Sequence, residues 1–301
     1  MTIAVTGGTG FVGTRFIDIA TAAGHEVRAL TRRPRRPQRQ VEWVDGSLED
    51  PDALRKLVTG CACVVHIAGV LKGSDASDFQ RGNVEGTLAM LAASTAAGIS
   101  RFVHVSSLAA REPKLSLYGA SKARSEELVE RSGLDWVIVR PPAVYGPGDK
   151  ETLDLFKMAS RGHIFMPPKG RLSLIHVDDL ARLLLACAGE DAPSKLVIEP
   201  DDGRSGGWSH GEFGDALGKA VGTHARTIST PKVLLSLASR ADRLVRGSNA
   251  KLTPDRVAYF CHRDWVVSAG KCPPPDLWAP QVETERGLSD TAAWYEREGW
   301  L

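Results

Sequence analysis

Tyr118 and Lys122 stand four residues apart in YGASK, and Ser107 lies eleven residues before the tyrosine. On a helix, residues four apart share a face. A phenol that titrates near pH 10 is a poor acid or base at neutral pH. A neighbouring ammonium favours the phenolate, so the spacing predicts a tyrosine with a lowered pKa. Such a group can exchange a proton with a hydroxyl or a carbonyl. The reaction also needs a donor that polarises the carbonyl oxygen. Ser107, in FVHVSSL at the end of an apolar run, fits that role, with Ser106 as the substitute. Tyr-x-x-x-Lys also occurs by chance on solvated helices, so its weight depends on what else the chain carries.

The N-terminus carries a second constellation. Gly7, Gly10 and Gly13 stand three apart between the apolar run TIAVT and a helical pattern that opens at Phe11. Glycine permits a tight turn and close approach of backbone to a pyrophosphate, and amides at a helix N-terminus favour phosphate. The expected contacts are the three glycines with Thr9, Phe11 and Val12. The next strand ends in VRALTRRP, with Thr31 where a carboxylate would bind a ribose 2′-hydroxyl. Arg32 and Arg33 suit a 2′-phosphate, which favours NADP(H), with NAD(H) as the alternative. Taken alone, RRPRRPQR also fits a nucleic-acid or acidic-lipid patch. Its place just past the second strand argues for the phosphate role, leaving Arg35, Arg36 and Arg39 solvated.

Strands and helices alternate around these residues. Strands are expected at 2–6, in HEVRAL, VEWV, CVVHIA, RFVHVS and LDWVIVR, with helices over 11–23, 78–97 and 117–132. A further helix starts at Asp50 as N-cap with Pro51 at N1 and stops at Gly60. This alternation predicts an α/β doubly wound parallel sheet. Beyond Pro141 the chain is less regular: RLSLIHV reads as a strand and 178–189 as a helix, with Asp178 as its cap, while PDDGRSGGWSHGE and KCPPPDLWAP read as loops. The division is a dinucleotide-binding domain over 1–150 and a smaller C-terminal substrate lobe over 151–301, some of whose elements return to the main sheet.

The glycine spacing, the serine at a strand end and YGASK resemble the extended branch of the short-chain dehydrogenase/reductase superfamily, the NAD-dependent epimerase/dehydratase family with its Rossmann fold. The resemblance is strong over 1–150 and looser afterwards. It implies that Lys122 also binds the nicotinamide ribose and that Ser107, Tyr118 and Lys122 form the catalytic triad. It further implies that Ala68 and Gly69 in HIAG make room for the dinucleotide and that Asn83 supports the cofactor-side strands. GSLED stands where relatives carry a GDL-x-D-like stretch, so Ser47, beside Leu48, replaces an adenine-binding aspartate. Pro141, Ala143 and Val144 in RPPAVYGPGD are implied to hold the nicotinamide end. Arg140-Pro-Pro-Ala143 departs from the sugar-nucleotide epimerase pattern. The implied reaction is hydride transfer at a secondary alcohol or ketone of a small molecule. RFVHVSSLAA, YGASKARSEELV and the C-terminal GLSDTAAWYEREGWL are also similar to bacterial relatives of the 39-kDa accessory subunit of complex I. That similarity implies the alternative of a nucleotide-binding structural or assembly protein with a large-complex partner. A homodimer built through two long helices is implied by the superfamily.

Composition sets outer limits. The 301 residues are 25% charged with a net charge of +2, which argues against a general nucleic-acid binder. No apolar run reaches the roughly 18 residues of a membrane span, and no signal peptide is evident. Five cysteines, an odd number, argue for a reducing, cytoplasmic setting. Cys61 and Cys63 read as core or strand-edge thiols rather than metal ligands. Trp208, His210, Trp265 and Trp278 are candidates to face a pocket, and Trp294, Tyr295 and Trp300 read as a helix docked on the core.

Overall fold

A computed structural model describes residues 1–73, 75–247 and 252–301. The chain runs through β1 (Thr2–Thr6), α1 (Phe11–Ala22), β2 (Glu26–Thr31), β3 (Val41–Asp45), α2 (Pro51–Val58), β4 (Cys63–His66) and α3 (Ala76–Phe79). A π-helical turn (Gln80–Glu85) then leads into α4 (Gly86–Ala96), β5 (Arg101–Val105), α5 (Leu117–Glu130) and β6 (Asp135–Val139). Next come β7 (Ala143–Tyr145), α6 (Leu153–Ser160), β8 (His163–Met166), β9 (Arg171–Leu172), β10 (Leu174–His176), α7 (Val177–Cys187) and β11 (Leu196–Ile198). The last elements are β12 (Trp208–Ser209), α8 (His210–Ala220), β13 (Arg226–Ser229), α9 (Lys232–Arg246), α10 (Pro254–Phe260), β14 (Asp264–Trp265) and α11 (Thr284–Arg297).

Seven strands form one parallel sheet in the order β3-β2-β1-β4-β5-β6-β11, flanked by helices. Its order reverses between β1 and β4, and open α/β sheets bind ligands beyond the carboxyl ends of the strands at such a point. The strands read as continuous apolar runs because both faces are covered. α1 buries Phe16, Ile17 and Ala20, and the Phe16 and Ile17 side chains each add about 1.5–3 kcal/mol by leaving water. α2 starts as its sequence dictates: the Asp50 carboxylate accepts from the Asp52 and Ala53 amides, and Pro51 is the first helical residue.

The chain divides into two compact units. The first comprises 1–141, 178–200 and 271–279, and the second 142–177, 201–270 and 280–301. The first stretch of the first unit ends at Pro141, and β11 from the later chain completes its sheet. The second unit has its own core, with Tyr145, Phe156, Trp208, Phe213, Leu288 and Tyr295 all buried. α11 seats Tyr295 there, edge-on to Phe156 and stacked with Trp300.

The helix expected over 78–97 is an unbroken helical run from Ala76 to Ala96, with a π-helical turn at Gln80–Glu85 where Asn83 bonds to Val70 and Ser121. Three local expectations are corrected. RLSLIHV is not one strand: β9 pairs with β12 and β14, whereas β10 pairs with β7. PDDGRSGGWSHGE is not all loop, since it contains β12 and the capping box of Ser209 and Glu212 that starts α8. Asp178 lies inside the first turn of α7, where its carboxylate takes Arg15 from α1 in a two-point pair.

Candidate active site

The glycine turn is a cradle that side chains would fill. Gly7 has φ +74°, and a Cβ on it would sit 2.6 Å from the Ala68 nitrogen. A Cβ on Gly13 would come within 2.1 Å of the Gly7 carbonyl oxygen. The turn closes with the Gly10 N–H donating to the Gly7 carbonyl at 2.9 Å. Gly10 is the N-cap of α1, no side chain caps it, and no acidic residue stands in the first turn. The amides of that turn, at Phe11 and Val12 after Thr9, thus open a helix suited to an anion. A cleft beside the turn is lined by Gly8, Thr9, Thr14, Arg35, Gln38 and Trp43 among others.

Gly69 carries the cradle to the chemistry. A Cβ there would lie 3.1 Å from both Asn83 Oδ1 and Lys122 Nζ. The Ala68 N–H donates to Thr6 Oγ1 at 3.3 Å. Asn83 accepts from the Val70 N–H at 2.6 Å and donates to the Val70 carbonyl at 3.0 Å and to Ser121 Oγ at 2.8 Å. Ser121 Oγ in turn donates to the Tyr118 carbonyl at 2.8 Å. The structure therefore joins Gly7, Ala68, Gly69, Asn83 and Lys122 through the ends of β1 and β4 and the face of α5. These gaps and the uncapped helix fit a dinucleotide laid across the strand ends.

Ser107 and Tyr118 meet through a side-chain hydrogen bond. Ser107 also caps the short turn Leu108–Arg111, accepting from the Ala109 N–H at 3.2 Å. The buried Oγ of neighbouring Ser106 has no hydrogen-bond partner among the described residues. Lys122 Nζ donates to the Val105 carbonyl at 2.9 Å, just before the two serines. Burial lowers the Lys122 pKa to about 8, against the opposing charge of Glu126. The Tyr118 pKa is not lowered as the spacing predicts. Burial pushes it up to about 12, and the Ser107 bond offsets only part of the rise.

A buried polar layer under α5 is the part that sequence reading missed. His66 and His104 are in register on β4 and β5, with rings stacked 5.5 Å apart. Thr87 Oγ1 donates to the Asn83 carbonyl at 2.7 Å, so it accepts from His66 Nε2 at 3.1 Å. The other ring nitrogen then accepts from Thr6 Oγ1 at 2.7 Å, which fixes a neutral Nε2–H tautomer. Likewise Ser125 Oγ donates to the Lys122 carbonyl and lies 3.0 Å from His104 Nε2. Burial drives the His66 pKa down to about 3 and His104 well below its usual value, and the Lys122 charge acts in the same direction. Glu126, one turn past Lys122, is buried and holds Arg140 by two contacts of 2.6 and 2.9 Å. The only local signal was a histidine inside each of two otherwise apolar strands.

The remaining expected residues are placed as follows. Arg32 and Arg33 are exposed, and the turn carrying them is fixed by Thr31 Oγ1, which donates to the Arg33 carbonyl at 2.7 Å. Arg35, read as solvated, is exposed yet lies over the Trp43 ring at 5.9 Å and lines the cleft. Ser47 Oγ accepts from the Glu49 N–H at 3.2 Å, and Leu48 fills the space left by Gly86. The Pro141 carbonyl accepts from the Leu108 N–H at 2.9 Å. Ala143 and Val144 belong to the second unit, where β7 sets them against Leu174 and Ile175. Trp208 and Trp278 are buried with their indole N–H groups bonded to Asp202 and to the Asp179 carbonyl, and Trp265 packs on Tyr259. Cys61 and Cys63 are buried, and burial pushes the Cys63 thiol up to about 12.

Comparisons with known proteins agree with this architecture. The family model described as NAD dependent epimerase/dehydratase family matches residues 3–198. A ceramide reductase of Caulobacter vibrioides is 36% identical over 99% of this chain and 96% of its own length. A 4-hydroxy-2-methyl-3-oxo-4-farnesyl-3,4-dihydroquinoline-1-oxide ketoreductase of Stigmatella aurantiaca is 34% identical over 66% of this chain and 67% of its own. MoeE5, solved in complex with UDP-glucuronic acid and NAD, superposes with a TM-score of 0.74 at 20% identity over 99% of both chains, a likeness of fold. Among the described residues no helix is long and apolar enough to cross a membrane. By sheet, by family model and by a relative aligned along nearly its whole length, the chain belongs to the NAD dependent epimerase/dehydratase family of short-chain dehydrogenase/reductase enzymes, oxidoreductases that use a nicotinamide dinucleotide.

Proposed function

We propose that the chain is an NADP(H)-dependent reductase of a ketone on a lipid-like molecule, with Tyr118 as the proton donor. The observation that carries the reading is the Ser107–Tyr118 hydrogen bond, beside Lys122 Nζ held 2.9 Å from the Val105 carbonyl. When bound, the dinucleotide supplies the hydride. The Ser107 hydroxyl orients the substrate oxygen, and Tyr118 gives it a proton as the carbonyl carbon is reduced. A phenol near 12 stays protonated at neutral pH, which suits an acid and hence the reductive direction. Lys122 binds the ribose hydroxyls and favours the phenolate left behind. Arg32, with Arg33 beside it, takes the 2′-phosphate. The lipid-like substrate is argued from the ceramide reductase aligned over nearly the whole chain. The three buried free thiols suit a reducing compartment, the cytoplasm.

The test is NADPH consumption with a panel of long-chain ketones, by the wild type and by Tyr118→Phe. We expect Tyr118→Phe to lower kcat by about 10²–10⁴-fold while leaving NADPH affinity unchanged. Full turnover in that variant would sink the mechanism. Arg32→Ala should weaken NADPH by about tenfold or more and leave NADH unaffected; equal losses would remove the 2′-phosphate role. Binding of the dinucleotide without turnover of any ketone, together with a stable large partner, would favour the structural-protein alternative.

A further inference from the structure

α9 reverses the usual burial rule for a helix on a folded unit. Leu244 is 88% exposed, Val245 83%, Val233 70%, Leu237 55% and Leu234 53%, whereas Ser239 is 1% exposed. Ser236 is half-buried, and Ser239 Oγ donates to its carbonyl at 2.8 Å. At 3.6 residues per turn the five apolar positions share one arc about 120° wide. Scattered apolar residues on a surface are ordinary, but a continuous stripe along a helix marks something that covers it. The same helix carries four basic residues against one acid, Asp242, which pairs with Arg246 at 3.3 Å. Arg240 is exposed just beyond one edge of the stripe, and Lys232 is exposed at the N-terminal end.

We propose that α9 is a bilayer-surface helix whose Val and Leu stripe enters the headgroup boundary of an anionic membrane while Arg240 at its edge meets lipid phosphates. Two features together select this occupant. The stripe needs an apolar medium, and the excess positive charge needs an anionic one. A second copy of the chain would set the same arginines against each other across the seam. The helix has 15 residues, too few to span, so it lies flat on the surface.

The test is co-sedimentation of the full chain with vesicles of phosphatidylcholine alone and of phosphatidylcholine mixed with phosphatidylglycerol. The wild type should pellet with the anionic vesicles and be released by salt. Leu237→Glu combined with Leu244→Glu should weaken binding by at least about tenfold, with an unchanged thermal melt because both sites are exposed. Arg240→Glu should weaken it about fivefold or more. Failure of the wild type to pellet with either vesicle would overturn the proposal, and so would a double variant that binds as well. Two further results would overturn it in favour of other occupants: a wild-type dimer that ignores vesicles and that the double variant splits, or capture of an acidic protein by a wild type that ignores vesicles. None of these readouts depends on turnover.

Discussion

α5 and α9 are close in length, 14 and 15 residues, and opposite in what they hide. α5 takes Ser121, Lys122, Ser125 and Glu126 inside, and each has a named partner: Asn83, the Val105 carbonyl, His104 and Arg140. α9 turns Leu and Val outward and buries a serine. Burying a charge or exposing an apolar stripe is unfavourable unless something offsets it. In α5 the offset lies within the fold, beside the proposed catalytic residues. For α9 we propose that a membrane surface supplies it, so that one helix carries the proposed catalytic residues and the other the proposed docking face.

The sharpest way to break this contrast is to remove an inner partner. Glu126→Ala should destabilise the protein by about 1.5–3 kcal/mol, because Arg140 loses one of its two buried carboxylates and keeps only Glu199 at 3.3 Å, and urea unfolding would measure it. A loss below about 1 kcal/mol would mean that the α5 network is not tightly coupled. Lys122→Met should cut kcat/KM by about a hundredfold. In the wild type the ammonium is present below the lowered pKa of about 8, so reduction should decline as pH rises through that value. The variant should lack this limb, and an unchanged pH profile would remove Lys122 from the reaction.

The histidines below α5 make an effect that is graded with pH. Their folded pKa values lie under the unfolded value near 6.5, so the unfolded chain binds more protons below that pH. Stability should therefore fall by about 1.4 kcal/mol per pH unit for each histidine as pH drops below about 6.5, down to about 3 for His66. Urea midpoints at several acidic pH values, with and without His66→Gln, would expose the slope. The smallest effect belongs to α9: Leu244→Ser should change unfolding free energy by less than about 0.5 kcal/mol. A larger loss would mean the stripe packs on protein.

Much of the candidate site was legible because its determinants are local. Gly7 and Gly13 announce themselves by spacing, Asp50 and Pro51 by capping chemistry, and Tyr118 and Lys122 by helical period. What was not legible depends on distant chain. Nothing near Asn83 says that Val70 and Ser121 will draw a π turn out of a helical pattern. Nothing in RLSLIHV says that its two halves join different sheets. The Tyr118 pKa reversed its expected direction because the spacing reveals a cation but not the depth of burial.

The first unit is made from three stretches of chain, ending with 271–279. In that last stretch the Lys271 carbonyl accepts from the Glu199 N–H at 2.7 Å, and Trp278 bonds to the Asp179 carbonyl. Synthesis on the ribosome thus makes the glycine turn first and its final fastening late. β6 has an open edge until β11 is made, and the 271–279 strap follows on the order of ten seconds later at ordinary elongation rates. A premature stop between 200 and 271 should release a seven-stranded sheet that lacks its strap.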